Sequence, residues 1–270
     1  MTAFIGRSAF QPVGINRLLN CELAPQVCDD VVTEQPVTLV VADVENFTLL
    51  CTPTDLEALA AGFLYAEGLI DSADAIESIE AASSASVEII LKNPPRAAKQ
   101  RNMILASSCG MCGTRNMNRV LYGTQPCGSA LKIPAETLHR VMQTLPSMQH
   151  IFKATGGAHA AAIFSDAGEI IAFGEDIGRH CALDKAVGKA LLAGRPTQGC
   201  GVALSGRVSF EMVSKAARAC IELIAAVSAP SSLAVDAARR WNITLCGFAR
   251  NGAANVYCHS ERITPSGIDP

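Results

Sequence analysis

The sequence predicts an α/β protein in two parts, a small α+β domain over residues 30–133 and a larger α/β domain over residues 134–270. Three observations carry this reading. From Ala158 onward, short apolar or β-branched runs alternate with segments of helical length, which argues for a largely parallel sheet covered by helices on both faces. Ahead of that lies a smaller unit of paired strand-like runs and one capped helical segment. The composition is 49% apolar with only 5% aromatics, and 270 residues are enough to bury a full core of Ala, Val, Ile and Leu.

In chain order, residues 1 to about 33 carry few signals and read as a loosely tied lead-in. Pro36 to Val44 and Asn46 to Cys51 are apolar, β-branched runs separated by turn residues, a hairpin pattern. Thr54 as N-cap with Glu57 three residues on predicts a capping box, and the helix it opens runs through Leu59, Phe63 and Tyr65 to a stop at Gly68. A strand follows at Val87 to Leu91. Lys92 to Lys132, rich in Gly, Asn, Arg and Pro, shows no periodicity, and a segment of that kind is expected to be functional or mobile. Pro134 to about Gln143 is helical. After it come strands at Ala160 to Phe164 and Ile170 to Phe173, then helix Arg179 to Leu192 and strand Gly201 to Leu204. Helix Ser209 to Ala219, strand Leu223 to Val227, helix Ser231 to Arg240 and strands at Ile243 to Cys246 and Asn255 to Cys258 complete the order.

The middle of the unpatterned segment reads Ser107-Ser108-Cys109-Gly110-Met111-Cys112-Gly113. A glycine after each thiol leaves the sulfurs unshielded on a loop. Arg101, Arg115 and Arg119 nearby would favour a thiolate on Cys109 or Cys112. A structural zinc site needs four ligands, and no second C-x-x-C or H-x-x-x-H accompanies this pair. The other cysteines, Cys21, Cys28, Cys51, Cys127, Cys181, Cys200, Cys220, Cys246 and Cys258, are scattered singly. What remains is a nucleophile that accepts and passes on a group, a redox or metal-binding module, or a surface loop without chemistry.

Three strand ends in the second half concentrate polar chemistry. Phe173 to His180 carries Glu175, Asp176, Arg179 and His180; Ser205 to Ser209 carries Ser205 and Arg207; Phe248-Ala249-Arg250-Asn251-Gly252-Ala253 follows the strand ending at Cys246. Helix N-termini and Arg side chains suit phosphate, carboxylates suit guanine N–H groups, and open α/β sheets bind ligands beyond the carboxyl ends of their strands. Each loop alone could be an ordinary capped turn, but together they favour a nucleotide-type ligand. His159 and His180 are each open to a structural or a catalytic role, and Asp184, one helical turn beyond His180, could orient that imidazole.

The net charge of −3 gives no general attraction to nucleic acid or to an anionic membrane. No run approaches 18 apolar residues, and Met1 to Phe10 lacks the pattern of a secretory signal, so a soluble, reducing, cytoplasmic setting is expected.

The Cys109 to Gly113 loop, Thr155 to Ala162, Gly174 to Lys185, Phe210 to Val213 and the stretches Ala226 to Val235 and Leu245 to Phe248 resemble the FdhD family over about residues 30 to 262. Gly174-Glu175-Asp176-Ile177-Gly178-Arg179-His180-Cys181-Ala182-Leu183-Asp184-Lys185 is the specific part; the C-x-x-C alone is not. The resemblance implies a sulfurtransferase accessory to formate dehydrogenase. It would take sulfur from a cysteine desulfurase as a persulfide on Cys109, with Cys112 as partner. The acceptor would be the molybdenum bis(molybdopterin guanine dinucleotide) cofactor, held at Phe248 to Ala253. The resemblance further implies a homodimer and a cytidine-deaminase-like, three-layer C-terminal domain. Two departures stand out: Ala253 occupies a position often basic in the family, where Arg250 could supply the charge, and Gly157 replaces a cysteine of some relatives. No H-x-E is paired with P-C-x-x-C, so deamination through a zinc-bound water is rejected. A cofactor-binding chaperone without sulfur chemistry is the alternative.

Overall fold

The computed structural model describes residues 9–94, 103–105 and 125–265. The lead-in is paired, not loose: β1 (Phe10–Ile15) and β2 (Val27–Val32) form an antiparallel ribbon. Pro12, Gly14 and almost unbroken exposure erase the period-two signal that would have marked it.

β3 (Gln35–Val41) and β4 (Asn46–Cys51) form the expected hairpin, with Val37, Leu39 and Val41 buried on alternate positions. α1 (Leu56–Ala66) follows, but without the expected capping box: Asp55 takes the N-cap at φ 51 with no side-chain cap bond. Both box residues have tertiary partners instead, Thr54 Oγ1 accepting from Lys185 Nζ at 3.1 Å and Glu57 from the Ala81 N–H at 3.2 Å. The helix stops as predicted, since Gly68 at φ 71 lets its own N–H reach the Tyr65 carbonyl and the Leu69 N–H reach that of Leu64, a Schellman motif. β5 (Ile76–Ser83), β6 (Ser86–Leu91) and β7 (Met103–Leu105) complete a five-stranded sheet of order β5-β6-β3-β4-β7. The edge strand β5, absent from the sequence reading, is rich in polar residues and has no fully buried one.

The second half opens with α2 (Ala135–Met148) and α3 (His150–Thr155). β8 (His159–Phe164), β9 (Ile170–Asp176), α4 (Arg179–Leu192), β10 (Gly201–Leu204) and α5 (Phe210–Arg218) come next. β11 (Leu223–Ala226), α6 (Ser232–Arg240), β12 (Thr244–Arg250) and β13 (Ala253–Cys258) close the order. The sheet runs β9-β8-β10-β11-β12-β13 and is mixed, not largely parallel: only β10-β11-β12 are parallel, and the pairs at either end are antiparallel. The connections β8–β9 and β12–β13 are too short for a crossover, so those strands must turn back. Ala160, Ala162, Phe164, Ala203 and Ala225 face Leu138, Val141 and Leu145 of α2. The intervening Ala161, Ile163, Val202, Leu204 and Ile224 pack with Leu183, Val187, Met212, Val213 and Ala237 of the other helices, giving three layers. Cys127, Leu131 and Ile133 pack into these cores, with the Cys127 N–H on the Trp241 carbonyl at 2.8 Å and the Leu131 N–H on Glu222 at 2.8 Å.

α4 locks the two halves together. Gly62 of α1 and Gly188 of α4 lie backbone to backbone: a Cβ on Gly62 would overlap the Asp184 carbonyl oxygen, and one on Gly188 that of Ala58. Gly174 of β9 touches the other side of α4, where a Cβ would come within 2.8 Å of Ala186 N. At this joint the fully buried Lys185 Nζ sits 2.7 Å from Asp176 Oδ2 and donates to the Thr52 carbonyl at 2.9 Å.

Candidate functional site

The carboxyl ends of β9, β10, β11 and β12 and the start of β8 share one rim. In the β10–α5 loop, Ser205 Oγ accepts the Ala160 N–H at 2.9 Å and lies 3.5 Å from His159 Nδ1. Gly206 is needed here because an added Cβ would stand 3.0 Å from that same nitrogen. Val208 ties this loop to the next, its N–H on the Ala229 carbonyl at 3.2 Å and its own carbonyl taking the Ser231 N–H at 2.9 Å. The Phe248 N–H on the Ser228 carbonyl at 3.2 Å continues the rim to β12.

Arg179 and His180 begin α4, whose N-cap, Gly178, offers no side chain to its free N–H groups. The buried His180 ring puts Nε2 3.0 Å from Glu211 Oε2 and 3.4 Å from Ser209 Oγ. Its Nδ1 and Arg179 Nε are buried without hydrogen-bond partners. Burial holds the His159 pKa below the usual histidine range, reinforced by the charges of Arg179, Arg207 and His180. Arg179 is likewise lowered by burial and by Arg207, with Glu211 opposing. Burial acts to raise the Glu211 carboxyl, but the hydrogen bond and charge of His180, with Lys215 and Arg179, outweigh it and hold it low. The cluster is thus cationic with one carboxylate, on a chain of net charge −3.

Of the residues the sequence singles out, Arg179, His180, Ser205 and Arg207 converge here. Glu175 and Asp176 do not face this rim as ligand carboxylates. Both oxygens of Glu175 accept backbone N–H groups of α3, from Ile151 at 3.0 Å and Phe152 at 2.7 Å. Asp176 is consumed by Lys185, the Thr52 N–H at 3.0 Å and the Gly178 N–H at 2.8 Å. Asp184 does not orient His180 either, because Lys215 takes both its oxygens at 2.8 and 2.9 Å; Glu211, on a different helix, holds the ring. No spacing rule could have found that pairing.

The segment Phe248 to Ala253 is strand and turn, not loop. β12 continues through Arg250, Ala249 is buried among the α2-facing residues, and Asn251 and Gly252, at φ 53 and 78, make a tight hairpin turn. Phe248 lies on the rim, exposed and at φ 53, while Gly252 at the tip approaches His139 of α2. Cys109 and Cys112 lie outside the described residues. Burial first, then neighbouring charges, pushes the thiols of Cys51, Cys127 and Cys246 up to about 12, so none of these is an activated nucleophile. Among the described residues no group of three or more His, Cys, Asp or Glu could hold a metal ion, and no helix is long and apolar enough to cross a membrane.

Fold and rim together define a mixed α/β protein whose six-stranded sheet carries a cationic cluster at its strand ends. Comparison with known proteins makes the class specific. Residues 32–264 match the FdhD/NarQ family, and the chain belongs to it. A protein of Sulfurisphaera tokodaii named sulfur carrier protein FdhD is 38% identical over 239 residues, spanning 87% of this chain and 92% of its own. One of the same name from Bordetella parapertussis is 38% identical over 247 residues, spanning 87% of each chain. The crystal structure of a protein from Desulfotalea psychrophila, described as a formate dehydrogenase accessory protein, superposes with a TM-score of 0.78. It covers 95% of this chain and all of its own at 23% identity, which speaks for the shared fold alone.

Proposed function

We propose that this protein is a sulfur carrier serving a formate dehydrogenase, which takes sulfur from a cysteine desulfurase and delivers it to the molybdenum bis(molybdopterin guanine dinucleotide) cofactor. Family membership supports the coarse role, and the cationic rim of Arg179, His180, Ser205 and Arg207 is the observation that carries the nucleotide end of it. In the first step the Cys109 thiolate attacks the terminal sulfur of the desulfurase persulfide. The new S–S bond forms on Cys109 and the desulfurase cysteine leaves as a thiolate. In the second, the Cys112 thiolate attacks Cys109 Sγ, the terminal sulfur leaves at the sulfide level for the molybdenum acceptor, and a Cys109–Cys112 disulfide remains. The thiol pair supplies the two electrons, and an external thiol reductant resets it. Binding the guanine nucleotide tails raises the effective concentration of metal beside the persulfide. The small N-terminal unit presents the cysteines, and the three-layer unit, into which Cys127, Leu131 and Ile133 also pack and whose likeness to cytidine deaminases belongs to this reading, holds the nucleotide.

The test is to incubate reduced protein with a cysteine desulfurase and cysteine, then record intact and peptide masses with and without reductant. A reductant-labile gain of one sulfur on the Cys109 peptide, absent in Cys109→Ala, is the expected result. No gain, or sulfur spread over Cys220 and other thiols, overturns the carrier chemistry and leaves a cofactor-binding chaperone.

A further inference from the structure

Among the described residues, several cysteines that the carrier chemistry does not use lie near one another. Cys246 and Cys258, on adjacent strands, face opposite sides of the sheet, one in the core against α2 and the other against the core on the far face. Cys51 and Cys181 are both buried in the core under α1, beyond the reach of a solute. Cys127 and Cys220 differ from these, since one is buried and the other exposed.

Cys220 stands where α5 ends. Its N–H reaches the Ala217 carbonyl at 3.0 Å and the Ile221 N–H that of Ala216 at 2.9 Å, a Schellman motif in which Cys220 takes φ 54. That position favours Gly or Asn, yet a thiol occupies it. Cys127 Sγ lies 3.9 Å from the same Ala217 carbonyl oxygen. The two residues thus converge on one backbone atom. Cys127 Sγ stands no more than roughly 7 Å from Cys220 N, the neighbourhood of a disulfide, whose Cα atoms lie about 4.4–6.8 Å apart. Cys127 is held in place, its N–H on the Trp241 carbonyl at 2.8 Å and its carbonyl accepting from Asn242 Nδ2 at 2.9 Å. Burial first, and then Cys220 ahead of Glu222, pushes the Cys127 thiol up to about 12, which keeps it inert toward solutes while leaving it beside a reachable partner.

We propose that Cys127 and Cys220 form a reversible disulfide site, in which the exposed Cys220 reacts with an oxidised low-molecular-weight thiol and the buried Cys127 resolves the adduct. The Cys220 thiolate attacks one sulfur of the small disulfide; that S–S bond breaks, one small thiolate leaves, and Cys220 becomes a mixed disulfide. Cys127 then gives up its proton and attacks Cys220 Sγ, and the second small thiol leaves with a proton. Two protein thiols are oxidised and one small disulfide is reduced to two thiols. Proximity offsets the high pKa of Cys127 in the second step. The product ties the end of α5 to Cys127, and a reducing setting returns it to the dithiol.

The experiment incubates the reduced full-length protein with oxidised glutathione at pH 8 without denaturant, blocks free thiols with iodoacetamide in denaturant, and digests with trypsin without reductant. Cys127 and Cys220 are the single cysteines of the tryptic peptides 120–132 and 219–239, and Cys109 and Cys112 share another, 102–115. The linked pair of 120–132 with 219–239 should exceed any other linkage of Cys220 at least about tenfold, the advantage of a partner held in place. Dithiothreitol should abolish it. In Cys127→Ala, Cys220 should stop at the glutathione adduct. In Cys220→Gly, a residue that the position favours and the fold tolerates, Cys127 should remain fully open to alkylation. A parent protein in which Cys220 stops at the adduct while Cys127 is alkylated, or in which Cys220 links as readily to Cys21 or Cys28, overturns the site.

Discussion

Replacing Gly188 with Ala sets two effects of opposite sign against each other at the joint between the two halves of the molecule. Gly188 lies inside α4, where Ala is favoured over Gly by about 1 kcal/mol on helix propensity alone. The added methyl, however, would overlap the Ala58 carbonyl oxygen and sit 2.7 Å from its carbon and 2.8 Å from Gly62 N. All three are backbone atoms of α1 and cannot rotate away. Restoring ordinary contact with the Ala58 oxygen calls for a separation of roughly 1.5 Å there, at an overpacking cost toward the upper end of about 1–3 kcal/mol. The separation also stretches the bond from Lys185 Nζ to the Thr52 carbonyl, now 2.9 Å, and a hydrogen bond to a buried charge is worth about 1.5–3 kcal/mol. The net expectation is a loss of about 3 kcal/mol, roughly 10 °C in Tm for a chain of this size. Thermal and urea unfolding of Gly188→Ala, Gly62→Ala and the double variant would measure it. The double variant should lose less than the sum, because the first methyl has already parted the helices. A Gly188→Ala protein as stable as its parent, or more so, refutes the reasoning, since propensity alone would then have decided the sign.

Glu175→Ala removes two charge-assisted bonds to the start of α3 and should cost roughly 3 kcal/mol in urea unfolding, yet leave GDP affinity within about twofold; a large loss of affinity would return Glu175 to the ligand site. His159 keeps its proton less readily in the fold than in the unfolded chain, where its pKa is about 6.5. The stability it contributes is therefore present above that pH and declines as pH falls below it; Tm between pH 7.5 and 5.5 should drop more steeply in the parent than in His159→Gln, and equal slopes would contradict this. Iodoacetamide at pH 8 should modify the exposed Cys21, Cys28 and Cys220 in the native protein and spare Cys51, Cys127 and Cys246, whose thiols stand at about 12; comparable labelling of Cys51 would argue against the buried setting.

Where local pattern and tertiary packing agree, the elements were legible. Helix Arg179–Leu192 and strand Gly201–Leu204 fall on the predicted residues because apolar runs and flanking Gly bound them on both sides. The β1–β2 ribbon and β5 were illegible, since strands exposed on both faces show no alternation to read. The capping box at Thr54 failed for another reason: the residue types were right, but Lys185 and the Ala81 N–H offered those side chains partners from distant parts of the chain.

The same competition explains the site. Read along the chain, Glu175, Asp176 and Arg179 look like a loop of balanced or acidic charge, which is why carboxylate recognition of a base was a natural expectation. In the fold both carboxylates turn inward, Asp176 to Lys185 at the α1–α4 joint and Glu175 to the backbone of α3, and Arg179 is left without them. The cationic character of the rim is thus created by subtraction, through partners that come from α3, from α4 and from Thr52 just after β4. The joint and the rim are coupled by this arrangement. Anything that parts α1 from α4 disturbs Lys185 and leaves Asp176, which already accepts the Gly178 N–H at 2.8 Å at the start of α4, with its negative charge unanswered beside the place where an anion is proposed to bind.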